Sequence, residues 1–130
     1  MKTLKFYVEL GNDDIPGELF TFEPPEEVLS KVCYSWQYNS KRIGEKNDLH
    51  LDATVIMAKR VMNPNFGGGC GGDSICVVTG LALNCSDLEL YKRCISEVVN
   101  LVYNEIGGIS PVVIFDEVYY VHYFPKSPTL

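Results

Sequence analysis

Few side chains in this 130-residue sequence could do chemistry: two histidines, five cysteines and scattered lysines around one glycine-rich segment. Asn65 to Ser74 reads Asn-Phe-Gly-Gly-Gly-Cys-Gly-Gly-Asp-Ser and holds five of the eleven glycines. Glycine lacks a Cβ, so such a run lets backbone N–H groups come close to a ligand or another chain, at an entropic cost when it orders. Cys70 at its centre has the Gly-x-nucleophile-x-Gly form, but a nucleophile elbow needs a strand before it and a helix after it. Strand-like apolar segments lie on both sides here, which also removes the helix N-terminus that would favour a bound anion. The segment reads as a hairpin tip.

His50 and His122 each begin or end a segment of strand character. Two histidines facing one cleft can do acid–base work, as in enzymes acting on phosphoesters. Neither is followed two residues on by serine or threonine, because His50 precedes Leu51-Asp52 and His122 precedes Tyr123-Phe124. Two partly exposed edge histidines is the plainer reading. Cys70, Cys76 and His50 could ligate a metal, but their spacing matches no standard site and Asp73 serves equally as a turn residue. No metal and no other cofactor is expected. Asp116 and Glu117 are adjacent on a strand, so they point to opposite faces and cannot work as a carboxylate pair. Cys33, Cys70, Cys76, Cys85 and Cys94 are odd in number and include no Cys-x-x-Cys pair, which points to reduced thiols. Cys33 and Cys94 fall within helical patterns, as small hydrophobes.

The elements that must position these residues follow from periodicity. Leu4–Leu10 is a short apolar and aromatic strand ending at the turn cluster Gly11-Asn12-Asp13-Asp14. Glu18–Phe22 adds a brief extended piece. Pro24-Pro25 suits a helix start, and Val28, Leu29, Val32, Cys33 and Trp36 then recur at helical spacing, so a first helix is expected over Pro25–Tyr38. Ser40–Asp48 is polar, carries Gly44 and reads as a loop. Leu49–Met62 alternates as a strand, with Leu49, Leu51, Ala53, Val55 and Met57 on one face. Ile75–Leu83 is nearly all apolar, as expected of a strand covered on both faces, and should pair with its predecessor in a hairpin. Ser86-Asp87-Leu88-Glu89 has capping-box spacing, and Tyr91, Cys94, Ile95, Val98, Leu101, Val102 and Ile106 form a helical stripe that Gly107-Gly108 stops. Val112–Tyr123 is a last strand. The order is β-α-β-β-α-β, an α+β two-layer sandwich of tautomerase-like or ferredoxin-like type, with a mixed sheet and two helices on one face.

A composition of 46% hydrophobic and 12% aromatic residues supports a real core, and the length fits one domain: a folded core over 1–124 and a tail over 125–130. Seventeen acids against eleven bases give a net charge of −6, so the chain lacks the basic footprint of a nucleic-acid or anionic-membrane binder. No apolar run approaches the roughly 20 residues of a membrane span, and Met1-Lys2-Thr3-Leu4-Lys5 has no signal-peptide character. A cytoplasmic protein that starts where the sequence starts is expected.

The second half resembles the tautomerase superfamily, in particular its macrophage migration inhibitory factor branch. The residues that carry the resemblance are Phe66-Gly67-Gly68 after a strand, a helix whose stripe includes Tyr91, Lys92, Cys94 and Leu101, and Ile109-Ser110-Pro111 leading into Val112–Val118. The match covers roughly residues 55 to 121, and Ser40–Asp48 would include extra residues relative to that branch. The resemblance implies a trimer with sheets around a central axis and pockets between subunits. It also implies a proline directly after the initiator methionine as general base, and this chain has Lys2 there. Proline-dependent tautomerisation is therefore not expected; the chain reads as an oligomer acting by binding a small molecule or a protein partner, more pseudoenzyme than enzyme. The alternatives are an enzyme on a carbonyl or keto–enol substrate with Lys2, Lys46 or His50 as base, and a purely structural or interaction module of ferredoxin-like fold. Lys41 and Lys46, in the helix-to-strand loop, are only regional candidates for the basic pocket residues that the resemblance implies. Phe66, Gly67 and Gly68, with Tyr119 and Tyr120, are the ligand-binding candidates. Among the aromatic residues Tyr34, Trp36, Tyr38, Tyr119, Tyr120, Tyr123 and Phe124, the C-terminal ones suit a subunit contact.

Overall fold

A computed structural model describes residues 1–11, 25–60, 73–83, 85–108 and 110–123. The glycine segment with Phe66, Gly67, Gly68 and Cys70, the extended piece at Glu18–Phe22, and Phe124 with the tail lie outside the described residues.

Six elements follow one another: β1 (Lys2–Leu10), α1 (Pro25–Asn47), β2 (Thr54–Arg60), β3 (Asp73–Leu81), α2 (Leu88–Ile106) and β4 (Val113–Tyr119). The β-α-β-β-α-β order is the expected one, and the sheet runs β2-β3-β1-β4. All three strand pairs are antiparallel, with Val8 in register with both Val78 and Val113, and Val78 in register with Val55. The expected mixed sheet is corrected on this point. β3 inserts between β1 and β2, and β1 between β3 and β4, so the strands that each β-α-β unit leaves parallel are never neighbours.

One sheet face carries the helices. Leu4, Phe6, Val8 and Leu10 of β1 alternate inward and meet Cys76 and Val78 of β3, Val28, Val32, Trp36 and Ile43 of α1, and Tyr91, Ile95, Val98 and Val102 of α2 in a single core. Phe6 is its centre, stacked on Trp36 with ring centroids 5.4 Å apart and tilted against Tyr91 at 6.4 Å. Burying a side chain of this size contributes roughly 1.5–3 kcal/mol. Ile75, Cys76, Val77 and Val78 are buried in succession, in keeping with a strand covered on both faces.

Three local expectations are corrected. α1 does not end at Tyr38: Ser40–Asn47 continues the helix because Ile43 still faces the core, two turns beyond Trp36. The stripe passes through Val28, Val32, Ser35, Trp36, Asn39 and Ile43, which leaves Cys33 about 100° from Val32 and exposed, whereas Cys94 is buried as expected. α2 is capped by Asp87, not Ser86: the Asp87 Oδ1 accepts from the Leu90 N–H at 3.0 Å, satisfying a donor that the first helical turn leaves free. Gly107, with φ 76°, ends α2 as expected, its N–H donating to the Tyr103 carbonyl at 2.7 Å.

Ser35 and Asn39 make the α1 face toward α2 polar, and Glu105 answers them. Its carboxylate accepts from the Ser35 hydroxyl and, at 3.1 Å, from the Asn39 amide, which also donates to the Ser35 carbonyl at 2.9 Å. These hydrogen bonds, helped by the Arg42 charge, hold the Glu105 carboxyl below the usual carboxylate range.

Candidate functional site

The segment from Asp48 to Ala53 joins α1 to β2 and is fixed at three points. Asp48 takes the left-handed conformation at φ 53°, so the chain reverses at the end of α1 and the Leu49 N–H donates to the Gly44 carbonyl at 3.0 Å. The absent Gly44 side chain makes this possible, since a Cβ there would stand 2.5 Å from the Leu49 carbonyl oxygen. Farther on, the Trp36 indole donates to the Leu51 carbonyl at 3.0 Å inside the core. Last, the Asp52 carbonyl oxygen comes to 2.5 Å from the place of a Cβ on Gly80, so the segment lies directly on β3. His50 and Asp52, both exposed, are therefore presented on a backbone held by a helix end, an indole and a strand.

A groove lies on each side of this segment. One of about 430 Å³ is lined by Gln37, Ser40, Lys41, Glu45 and Asp48 of the α1 end together with His50 and Asp52. The other, of about 520 Å³, runs over His50, Asp52, Thr54, Thr79, Gly80, Leu81 and Leu83. Both volumes are in the range of small-molecule sites. His50 and Asp52 belong to both grooves, so they form the ridge of one divided cleft. Its second half is floored by Thr54 and Thr79, in register across β2 and β3, and walled by Leu81 and Leu83. Formal charges around the cleft are Glu45, Asp48 and Asp52 against Lys41, an acidic balance that favours a cationic or donor-rich ligand.

Tyr91 stands behind this cleft. The ring is fully buried against Phe6, and its hydroxyl has no hydrogen-bond partner among the described residues. Burial, with the Cys85 thiol and the Asp52 carboxylate contributing, pushes the phenol well above its ordinary value, so it stays protonated.

Of the bases expected from the sequence, only His50 enters the cleft. Lys46 is in the last turn of α1 and exposed, and not among the residues that line the grooves; Lys41, five residues earlier and so on another side of the helix, is. Both belong to the helix, not to a loop. Lys2 pairs with Tyr119 across β1 and β4, its ammonium 5.3 Å from the ring centre, and the Met1 amine donates to the Tyr120 carbonyl at 3.3 Å while the Tyr120 N–H donates to the Met1 carbonyl at 2.9 Å. Lys2, Tyr119 and Tyr120 thus form one group, built on the β1–β4 ladder. His50 precedes β2 by four residues and His122 follows the end of β4, so neither is in a strand, and His122 lines neither groove. Cys76 faces the helices, its Sγ 3.4 Å from the Met57 Sδ, and burial raises its thiol to about 11. A protonated core thiol is no metal ligand, and among the described residues no three ligating side chains gather. Asp116 lies on the helix-free face opposite Lys5, while Glu117 points the other way, as their adjacency requires.

Sequence reasoning missed Asp52, Thr54, Thr79 and Gly80. One signal was there: a glycine inside the apolar run Ile75–Leu83 marks a close approach of backbone.

No family model and no curated protein matches this chain. Among solved structures, a phage SAM lyase in complex with S-methyl-5'-thioadenosine aligns with a TM-score of 0.58 at 12% identity, over 88% of this chain and 81% of that one. A phage SAM lyase in the apo state gives 0.54 at 12% identity, over 89% and 81%. At that identity the likeness is one of fold: the chain shares the α+β architecture of these structures.

Proposed function

We propose that this chain binds a small organic molecule in the cleft divided by His50 and Asp52 and acts through that binding. The observation that carries this reading is the pinned Asp48–Ala53 segment with a groove on each side. A site held within a few tenths of an ångström by rigid elements is what ligand recognition needs, and an otherwise unremarkable connection has little reason to be fixed three times. The acidic lining supports a ligand that is cationic or rich in donors.

The first probes come from the fold likeness alone: SAM, which is a cation, and S-methyl-5'-thioadenosine, which is neutral. Isothermal titration with both is expected to give saturable binding that Asp52→Asn and Thr79→Val weaken, with SAM the more sensitive to Asp52→Asn. No heat from either probe, and no thermal shift with a panel of organic cations, would reject the reading.

A second reading is a tautomerase-like enzyme in which His50 is the base on a carbonyl substrate. His50, beside Asp52 at the lip of a cavity, favours it. An enol–keto assay with phenylpyruvate separates the two: turnover lost in His50→Ala and kept in Lys46→Ala supports catalysis, and no turnover leaves binding.

A further inference from the structure

The helices cover one side of the sheet; on the other, Ile75 and Val77 of β3 are buried, while Ile56, Ile114 and Leu81 stay exposed among the described residues. Thr54, Thr79, Tyr7 and Ile114 form one cross-strand row on it; Ile56, Val77 and Glu9 form the next; Leu81, Lys5 and Asp116 form the row on the other side. Ile56 is 52% exposed, Ile114 48% and Leu81 38%. Four strands about 4.8 Å apart, with same-face rows about 6.6 Å apart along each strand, make a plate of a few hundred Å² of mixed apolar and charged character, large enough for an interaction site.

The charges on this plate select the occupant. Along β1 the open face reads Lys5, Tyr7, Glu9, a base at one end, an acid at the other and an aromatic ring halfway. Lys5 and Glu9 are four residues apart on one strand, roughly 13 Å, so they cannot pair within one chain. A twofold axis that lies across the strands at Tyr7 turns the face onto itself. It sets Lys5 over Glu9 of the second copy and Glu9, whose carboxylate also accepts from the Tyr7 hydroxyl at 3.0 Å, over its Lys5, and Tyr7 over Tyr7. Asp116, beside Lys5 on β4, shares that ammonium with the incoming carboxylate. A face that answers its own charges and apolar rows under one rotation has the form of an isologous interface.

We propose that a second copy of this chain covers the open sheet face, with Lys5 of each copy against Glu9 of the other. This does not rest on the ligand reading, although the two share Thr54, Thr79 and Leu81: Thr54 and Thr79 lie in the axis row, so the second copy closes over that half of the cleft while the half lined by Gln37, Lys41 and Glu45 stays clear of it. The test is sedimentation equilibrium of the full chain over micromolar to 200 µM concentrations, with four variants. The parent is expected to exceed the 14.6 kDa of one chain. Ile56→Glu with Ile114→Glu should return it to that mass. Lys5→Glu alone and Glu9→Lys alone should each weaken association about tenfold or more, and the double exchange should recover most of the loss, because the repulsion it relieves exists only between chains. If the apolar variant fails to fold by circular dichroism, the charge exchange, which touches no core residue, decides alone. A single-chain mass at 200 µM, or an assembly that none of these substitutions disturbs, overturns the proposal.

Discussion

Gly80→Ala tests the junction between the core and the cleft. Gly80 is not among the positive-φ glycines, so alanine fits its backbone and only the space around it matters. A Cβ would stand 2.5 Å from the Asp52 carbonyl oxygen, 0.9 Å inside the 3.4 Å at which ordinary contact begins, and 2.7 Å from Cε1 of Phe6. Neither neighbour can give way easily. The Phe6 ring is stacked on Trp36, and the chain beside Asp52 is held by the indole bond to Leu51. Overpacking of this kind typically costs about 1–3 kcal/mol, while replacing glycine in a strand recovers roughly 0.5–1 kcal/mol of backbone entropy. The net expectation is a loss of about 1–2 kcal/mol. Urea unfolding followed by the emission of Trp36, the single tryptophan, measures it, and hydrogen exchange should show faster opening at 50–53 than in α2. A Gly80→Ala protein as stable as the parent, with unchanged exchange at 50–53, would refute the claim that the cleft segment is seated on β3 through the missing side chain.

Asp87→Ala should cost about 0.5–2 kcal/mol in chemical unfolding and Ser86→Ala a few tenths at most, because only Asp87 caps α2; equal effects would contradict the cap. Glu105 has its pKa lowered by folding, so its contribution to stability is complete above the ordinary glutamate value and is lost as pH falls through the lowered one; Glu105→Gln should flatten this acid limb of the stability–pH curve and cost the same amount at pH 7, a small one because the carboxylate is largely exposed. Tyr91→Phe removes an unpartnered buried hydroxyl and is expected to be neutral or to stabilise by up to about 1 kcal/mol in thermal and urea unfolding; a loss beyond that would mean the phenol has a partner.

Much of the fold could be read from local pattern. The period-two run of β1, the unbroken apolar run of β3 and the 3.6-residue stripe of α2 each state their partners' side through burial, and the glycine at 107 stops α2 where the stripe ends. The end of helix one is not legible, because Ser40–Asp48 is polar and carries Gly44 and only the burial of Ile43 in the core shows that the helix continues through it. The antiparallel order also escaped, since strand period says which face a residue takes and nothing about which strand lies beside it.

The cleft was the least legible part. His50 was visible as a candidate, but nothing within ten residues of it says that Thr79 and Gly80 lie alongside, some thirty positions later. Which residues must leave water, and so the number, type and order of the elements, follows from local pattern, because burial periodicity is a local property. Long-range packing sets the rest: that β3 separates β1 from β2, that Trp36 and Gly80 fix the connection carrying His50 and Asp52, and that Lys5 and Glu9 share the sheet face away from the helices. Those are contacts between segments distant in the chain, and their free energy exists only once the core has brought the segments together.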